Sequence, residues 1–157
     1  MMLIDWSQDA SGISEALGQP SWPGFSELLE GQLGFEDVVR ALADSDVQLI
    51  PSGKSVETRG EGLDADSLNF ALDALDDVYE HIIVVARTDA GRALFEAIEG
   101  RFDNGIMLVD AAAGQAPPPA GSFLGFEVDG ISLFTLKMTK ETEAPQRRPR
   151  AALTRAG

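Results

Sequence analysis

Two short stretches of the sequence and one lone side chain carry residue types that could do chemistry, and the first stretch is Gly53-Lys54-Ser55. This tripeptide matches the end of a phosphate-binding loop, whose backbone N–H groups surround a phosphate ahead of a helix N-terminus. Such a loop needs a glycine five positions before Gly53, and that position is Gln48, within an apolar run. The residues after Ser55 read Val-Glu-Thr-Arg-Gly, which is not a helical pattern. We therefore predict that this stretch is not a phosphate-binding loop.

The second stretch holds two acids, Asp5 and Asp9, and the lone side chain is the single histidine, His81. Asp5 ends a predicted strand and Asp9 follows in a loop, a spacing that could hold Mg²⁺ through carboxylates. Carboxylates at the edge of a loop are more commonly solvated or cap a helix, so we expect no resident metal and no other cofactor. His81 has no cysteine or serine nucleophile identifiable as its partner, which favours a structural role over a Ser-His-Asp arrangement.

The elements that would position these residues centre on 65–101. Apolar residues at 68, 71, 72, 75 and 78 recur at helical spacing, and an apolar run over 82–86 follows. This pattern predicts an amphipathic helix that feeds a strand buried on both faces. In open α/β sheets, ligands bind beyond the carboxyl ends of such strands. The corresponding loop is predicted at 87–91, Arg-Thr-Asp-Ala-Gly, with a helix over 90–99.

The remaining elements complete an α/β pattern. A second buried strand is predicted at 105–109, and the turn signal Asp129-Gly130 predicts a β-hairpin over 123–138. Further strands are expected at 2–5 and 47–50, and short helices at 14–18, 25–31 and 35–43. The predicted fold is therefore a three-layer open, mostly parallel sheet flanked by helices, with a C-terminal β-hairpin.

Composition and charge restrict the function class. The chain has 157 residues and no cysteine, which fits one domain and excludes thiolate metal sites. Residues 1–136 carry six Lys/Arg against 24 Asp/Glu, whereas 137–157 carry six Lys/Arg against two Glu. So acidic a domain repels phosphate backbones, and nucleic-acid binding is not expected. No apolar run approaches the roughly 18 residues of a membrane span, and the acidic N-terminus does not read as a signal peptide, so we predict a cytoplasmic location.

The end of the chain and three aromatic residues stand apart from the periodic pattern. Residues 139–157 lose the apolar period and are predicted to be a disordered basic tail, which leaves 1–138 as the domain. Trp6, Trp22 and Phe25 fall in loops or at helix starts. Aromatic side chains there either anchor an interface or cap the edge of the sheet. We keep all three as interface candidates.

The order of the segments resembles the cytoplasmic domain of bacterial tyrosine kinases and chain-length regulators of capsular and exopolysaccharide export. That family is a branch of the deviant-Walker ATPases, within the MinD/ParA-like P-loop superfamily. Its motifs are an apolar strand ending Asp-x-Asp-x-Arg, a Pro-Gly-Leu helix, a strand ending Pro-x-Gly, and Tyr-Asp before a second apolar strand ending Asp-x-Pro-Pro. The matching segments here are Leu3-Ile4-Asp5, Pro23-Gly24-Phe25-Ser26-Glu27-Leu28-Leu29, Leu49-Ile50-Pro51-Ser52-Gly53 and Tyr79-Glu80-His81-Ile82-Ile83-Val84. With Phe102-Asp103-Asn104-Gly105-Ile106-Met107-Leu108-Val109 as the later strand, the match covers 2–113.

The departures from the family pattern fall on its catalytic positions. Of the Asp-x-Asp-x-Arg motif only Asp5 is retained, because Ser7 replaces the second acid and Asp9 replaces the arginine. Val85 stands where the family has a metal-binding Asp, Arg87 begins the segment that replaces Pro-Pro, and a glycine-rich phosphate loop would lie upstream of Met1. Phosphoryl transfer depends on that loop, its Lys and the Mg²⁺ ligands. The resemblance therefore implies a vestigial nucleotide and metal site at these five positions, with no catalytic residue.

The resemblance implies a non-catalytic regulatory or scaffolding domain in exopolysaccharide biosynthesis and export, acting in chain-length control. Its partners would be proteins of the synthesis and export complex, with homo-oligomerisation left open. A linked or partner chain would bring it to the inner face of the inner membrane. One alternative is a nucleotide-binding tyrosine kinase or ATPase domain whose phosphate loop lies in a missing N-terminal segment or a partner chain. The other is an unrelated small α/β binding protein.

Overall fold

The structure is a computed structural model, and it describes residues 1–7, 12–54, 64–110, 114, 116, 118–128 and 132–138. Asp9, the Asp129-Gly130 pair and the predicted tail 139–157 lie outside the described residues. The strands are β1 (Met2–Trp6), β2 (Arg40–Ala41), β3 (Gln48–Ile50), β4 (Ile82–Ala86), β5 (Asn104–Asp110), β6 (Ser122–Phe123), β7 (Phe126–Glu127) and β8 (Ser132–Met138). The helices are α1 (Ile13–Ala16), α2 (Phe25–Leu29), α3 (Phe35–Val38), α4 (Ala65–Asp76) and α5 (Thr88–Ile98), and a 3-10 turn (Glu99–Arg101) follows α5.

The main sheet has the strand order β2-β3-β1-β4. β1 runs parallel to both of its neighbours, with Ile4 opposite Ile50 on β3 and Val84 on β4. The short β2 pairs with β3 in the antiparallel direction. The mostly parallel α/β sheet predicted from the sequence is therefore confirmed. β5 and β8 form a second, parallel pair, and β6 and β7 form a two-residue hairpin.

The core lies between the helices and one face of the main sheet. Met2, Ile4 and Trp6 alternate along β1 and belong to one buried cluster. The helices contribute Phe25 from α2, Val38 from α3, the α4 residues Leu68, Ala71, Leu72 and Leu75, and the α5 residues Ala90, Leu94 and Ile98. Four of the five positions predicted from the helical spacing, 68, 71, 72 and 75, thus form the buried face of α4, because residues three and four apart lie on one side of a helix. The fifth, Val78, lies beyond the end of α4 and is 71% exposed.

Burial of β4 and β5 differs from the prediction. Both were expected to be covered on two faces, yet Ile83 on β4 is 43% exposed, and Ile106 and Leu108 on β5 are 59% and 60% exposed. Continuous apolar runs cannot distinguish a strand covered on both faces from one covered on a single face. Within the described residues, these strands therefore present one apolar face to solvent.

The C-terminal hairpin is also corrected. Residues 132–138 were expected to pair with the strand before Asp129-Gly130, but β8 pairs in parallel with β5, placing Ile106 opposite Phe134 and Leu108 opposite Leu136. A parallel return needs a crossover of a dozen or more residues, and 111–131 is long enough to supply one. The hairpin that does form turns at Leu124-Gly125, both at positive φ, which is the geometry of a tight two-residue turn.

The third helix is shorter than predicted. The expected helix over 35–43 ends at Val38, and Arg40–Ala41 form β2 against β3. Val39 at the end of α3 is already extended. β-branched Val residues favour strands over helices, and pairing with β3 then supplies the backbone hydrogen bonds that the last helical turn would have made.

The N-terminus of α4 gives a testable pH effect. Asp64 precedes the helix, and its carboxylate accepts hydrogen bonds from the Ser67 hydroxyl and the Asp66 N–H. The Ser67 contact, the largest cause, and the backbone bonds lower the pKa of Asp64. A lowered folded-state pKa stabilises the fold above the unfolded-state pKa, and this stabilisation is lost as pH falls through the folded-state pKa. We expect Asp64→Ala to lower the urea midpoint at neutral pH and to match wild type once the Asp64 carboxylate of wild type is protonated.

The matched variant for this prediction is Asp64→Asn, because asparagine caps a helix about as well as aspartate and does not titrate. Its urea midpoint should stay near that of wild type at neutral pH. An Asp64→Ala deficit that persists unchanged in acid would contradict the assignment of the cap to the ionised carboxylate.

Candidate functional site

Four of the five positions predicted to be vestigial lie at the carboxyl edge of β1 and β4. The parallel register places Asp5 opposite Val85 and Trp6 opposite Ala86. Ser7 follows β1 directly and Arg87 follows β4 directly, so both leave the sheet at the same edge. The structure thus brings together four of the five positions predicted from the sequence, and the fifth, Asp9, lies outside the described residues.

Asp5 is a buried carboxylate whose two oxygens both accept hydrogen bonds. Its Oδ2 accepts hydrogen bonds from the Ser14 N–H at 2.9 Å and the Ser14 hydroxyl at 2.6 Å. Its Oδ1 accepts one from the Ser7 N–H at 3.1 Å. The side chain is only 1% exposed. Asp5 therefore ties the start of α1 and the residue after β1 to the end of the strand.

Gly12 closes the space over this carboxylate. A Cβ added at Gly12 would lie 2.4 Å from both oxygens of Asp5 and 2.2 Å from the Ser7 hydroxyl oxygen. Glycine is required here because nothing larger than a hydrogen fits against the acid. A side chain at position 12 would therefore displace the Asp5 carboxylate or the Ser7 hydroxyl.

The β4 side of the edge supplies no second acid. Val85 is a partly buried aliphatic side chain directly across from Asp5. Arg87 is exposed, and its Nε lies 3.6 Å from Oδ1 of Asp89. The ligand loop expected at 87–91 is shorter than predicted, because α5 already begins at Thr88. The single residue Arg87 is therefore what remains between strand and helix.

A second buried carboxylate, Glu27, holds the loop after β3. Its Oε2 accepts a hydrogen bond from the Gly24 N–H at 2.9 Å, which is the reciprocal half of a capping box on α2. Its Oε1 accepts one from the Lys54 N–H at 3.0 Å. The Lys54 ammonium lies over the Trp22 ring at 5.5 Å from its centroid. Gly53 and Lys54 are thus part of the contact between the loop after β3 and the start of α2. Ser55 lies outside the described residues.

The three aromatic candidates separate by burial. Trp6 and Phe25 are buried and pack edge to face, with ring centroids 5.8 Å apart. Their side chains fill the core, so they do not form a surface anchor. Trp22 is 52% exposed and carries the Lys54 ammonium on its ring. Of the three interface candidates, Trp22 alone remains.

Three residues of this edge were missed by sequence reasoning. Ser14 and Gly12 complete the surroundings of Asp5, and Glu27 fixes the neighbouring loop. Of these three residues, only Glu27 could have been found from local sequence, because an acid three residues after the helix-capping position Gly24 is typical of a capping box. Ser14 lies nine residues from Asp5, and no periodicity relates the two.

Comparison with known proteins places the fold. No protein-family model and no curated protein matches the sequence. Solved structures do match. The VpsO kinase domain is 22% identical with a TM-score of 0.63, over 86% of this chain and 70% of that one. The chain shares its fold with bacterial tyrosine kinase domains.

Two further matches agree. The kinase domain of the Escherichia coli tyrosine kinase ETK is 15% identical with a TM-score of 0.61, over 91% of this chain and 57% of that one. The chimerical protein CapA2B2 is 15% identical with a TM-score of 0.60, over 85% of this chain and 61% of that one. The resemblance predicted from the motifs is confirmed at the level of the fold. Separately, no helix among the described residues has the length and apolar character of a membrane span.

Proposed function

We propose that this chain is a non-catalytic regulatory or scaffolding domain of exopolysaccharide biosynthesis and export, acting by contact in chain-length control. The fold it shares with the VpsO and ETK kinase domains supports the kinase-like origin. The export context comes from the motif resemblance. On this proposal the domain lies in the cytoplasm, held at the inner face of the inner membrane by a linked or partner chain.

The hydrogen-bonded carboxylate of Asp5 is the observation that supports the non-catalytic part of this proposal. A magnesium ligand in a phosphoryl-transfer site keeps oxygen lone pairs directed at the ion and its waters. Here the oxygens accept from Ser7 and Ser14, and the position of Gly12 permits no side chain against them. Val85 across the strand pair adds no carboxylate. These contacts favour a structural use of the former metal position.

The contact function needs a surface, and Trp22 is the residue that offers one. Its ring is half-exposed beside the buried Glu27 junction and is held from one side by Lys54. Tryptophan on a rigid support is the commonest type of binding hot spot, because it buries a large area at little entropic cost. We propose that Trp22 contacts a protein of the synthesis and export complex.

The test combines calorimetry and complementation. Titration of the chain with ATP and Mg²⁺ should release no heat of binding. In the organism that encodes it, a strain lacking the gene should recover its polymer length distribution with Arg87→Ala and should not recover it with Trp22→Ala. Both residues are exposed, so both variants should fold as wild type does by circular dichroism.

The alternative is a nucleotide-binding kinase or ATPase domain completed by a phosphate loop from elsewhere. Heat of ATP binding that disappears in Arg87→Ala would favour it and would overturn the non-catalytic assignment. If the polymer length distribution is unaffected both by loss of the gene and by Trp22→Ala, the export assignment fails.

A further inference from the structure

A cavity of about 350 Å³ opens at the amino edge of the main sheet, between α3 and the end of α4. Its wall includes Gln48, the first residue of β3, and Tyr79, which precedes β4. The register places Met2 opposite both Gln48 and Ile82, so this α3–α4 cavity and the Asp5 carboxylate lie at opposite edges of the sheet. Ligand pockets have volumes of about 300–1,000 Å³, and a cavity at the lower end of that range suits one long side chain.

Apolar side chains form most of the wall of the α3–α4 cavity. Phe35 lies in α3 and Val39 follows it, while Ala74 and Leu75 lie in α4. Val78 lines the cavity after the end of α4 and is 71% exposed. The cavity can therefore pack against the aliphatic part of a long side chain, and Val78 offers an apolar contact to the residues beside it.

The polar groups of the cavity mainly accept hydrogen bonds. The Tyr79 hydroxyl donates its hydrogen to Oε1 of Gln48, so the phenol oxygen has only lone pairs left to offer. Glu36 adds a carboxylate, which accepts and does not donate. A guanidinium group is the complement of such a site, because it carries a fixed positive charge, five N–H donors and no acceptor. It also stacks on aromatic rings, which Phe35 and Tyr79 supply here.

The surroundings of the α3–α4 cavity are acidic. Three exposed acids are each next in sequence to a residue of the wall: Asp37, Asp77 and Glu80. Among the described residues, no Lys or Arg lines the cavity. Arg40, which follows the wall residue Val39, donates instead to the carbonyl groups of Pro20 and Pro23. The charge of this region therefore favours a cationic occupant.

The chain itself contains a segment of complementary composition. Residues 147–155, outside the described residues, read Arg-Arg-Pro-Arg-Ala-Ala-Leu-Thr-Arg, with four Arg and no acid. Residues 1–136 have 24 Asp/Glu against six Lys/Arg, so the segment and the domain attract each other. The chain from Met138 to Arg150 spans up to about 40 Å when extended. A folded domain of this length has a radius of gyration of about 14 Å, so the segment is long enough to reach the cavity.

We propose that the α3–α4 cavity binds the side chain of Arg150. The guanidinium contacts the Glu36 carboxylate and the Tyr79 oxygen, and the apolar residues 151–153 lie over Val78. Of the four arginines in 147–155, Arg150 alone is followed directly by an apolar run, which matches the exposed apolar residue beside the cavity. This site does not depend on the proposed role in export.

The test is paramagnetic broadening of NMR signals by a spin label on the full chain. Because the sequence contains no cysteine, Thr154→Cys provides a single labelling position without further changes. The label should remove most of the intensity of the amide signals of Val39, Ala74 and Val78. The amide signals of Ser7 and Ser14, at the opposite edge of the sheet, should keep theirs. The same chain with the label reduced gives the reference intensities.

Two pairs of variants in the labelled chain test the two partners of the contact. Arg150→Gln should restore the signals, whereas Arg147→Gln, with the same loss of charge, should leave them broadened. Glu36→Gln should likewise restore them, and Glu96→Gln on α5 should not. Glu36 and Glu96 are both exposed, so both variants should fold as wild type does.

Three results would overturn the proposal. One is full intensity at Val39, Ala74 and Val78 in the labelled chain, and another is broadening that persists in Arg150→Gln. The third comes from a mixture of isotope-labelled chain without spin label and spin-labelled chain without isotope. Broadening in that mixture as strong as within one chain would assign the cavity to the Arg150 of a second copy.

Discussion

Asp5→Ala should lower the free energy of unfolding by about 3 kcal/mol or more, because a buried donor without an acceptor costs roughly 1–3 kcal/mol. The substitution removes the acceptor of the Ser14 N–H, the Ser14 hydroxyl and the Ser7 N–H at once. Water cannot easily replace it, since Asp5, Ser7 and Ser14 are all buried. Urea unfolding with linear extrapolation measures the loss.

Two controls test whether the loss of stability is specific to the hydrogen bonds of Asp5. Asp103→Ala removes an exposed acid ahead of β5 and should change stability by no more than about 0.5 kcal/mol. Mg²⁺ should leave the urea midpoint of wild type unchanged, because an ion bound only by the folded state would raise it. An Asp5→Ala chain as stable as wild type would show that this carboxylate does not organise the edge of the sheet.

Gly24→Ala should be at least as damaging. A Cβ at this position would lie 2.2 Å from both the Gly53 nitrogen and the Pro51 oxygen, which are backbone atoms that cannot move aside by changing a rotamer. The same junction contains the Phe25 N–H to Pro51 carbonyl bond of 2.7 Å, which joins α2 to the end of β3. Forcing these segments apart should cost about 3 kcal/mol or more. The urea midpoint is again the measurement.

The matched control is Gly100→Ala, because a Cβ there would meet no atom within 4 Å. Its midpoint should stay within the error of wild type. Equal midpoints for Gly24→Ala and wild type would mean that α2 and the β3 exit loop do not pack as described. Because Lys54 and Trp22 lie at this junction, Gly24→Ala should disrupt the exposed surface around Trp22 as well as the fold.

Much of the fold could be predicted because it rests on local patterns. The spacing of Leu68, Leu72 and Leu75 identified α4, and the apolar run at 82–86 identified β4. The partner of β8 could not be predicted in this way. Its alternating pattern is equally compatible with a local hairpin and with a parallel return to β5, and only packing distinguishes them.

The candidate site shows the same division. Motif order predicted that Asp5, Ser7, Val85 and Arg87 would meet, and the register of β1 and β4 brings them to one edge. The roles of Trp6 and Phe25 were not readable, because an aromatic residue beside a loop fits the core or the surface equally well. Their burial depended on how α2 packs over β1.

By itself, the sequence determined the α/β class and the mostly parallel order of the main strands, since these follow from residue type and short-range period. Only the tertiary structure decided that Gly12 and Ser14 close over Asp5, and that, among the described residues, β4 pairs only with β1 and β5 only with β8. Both depend on contacts between residues far apart in the chain, and the physical reason is that such contacts are selected by the packing of the whole domain.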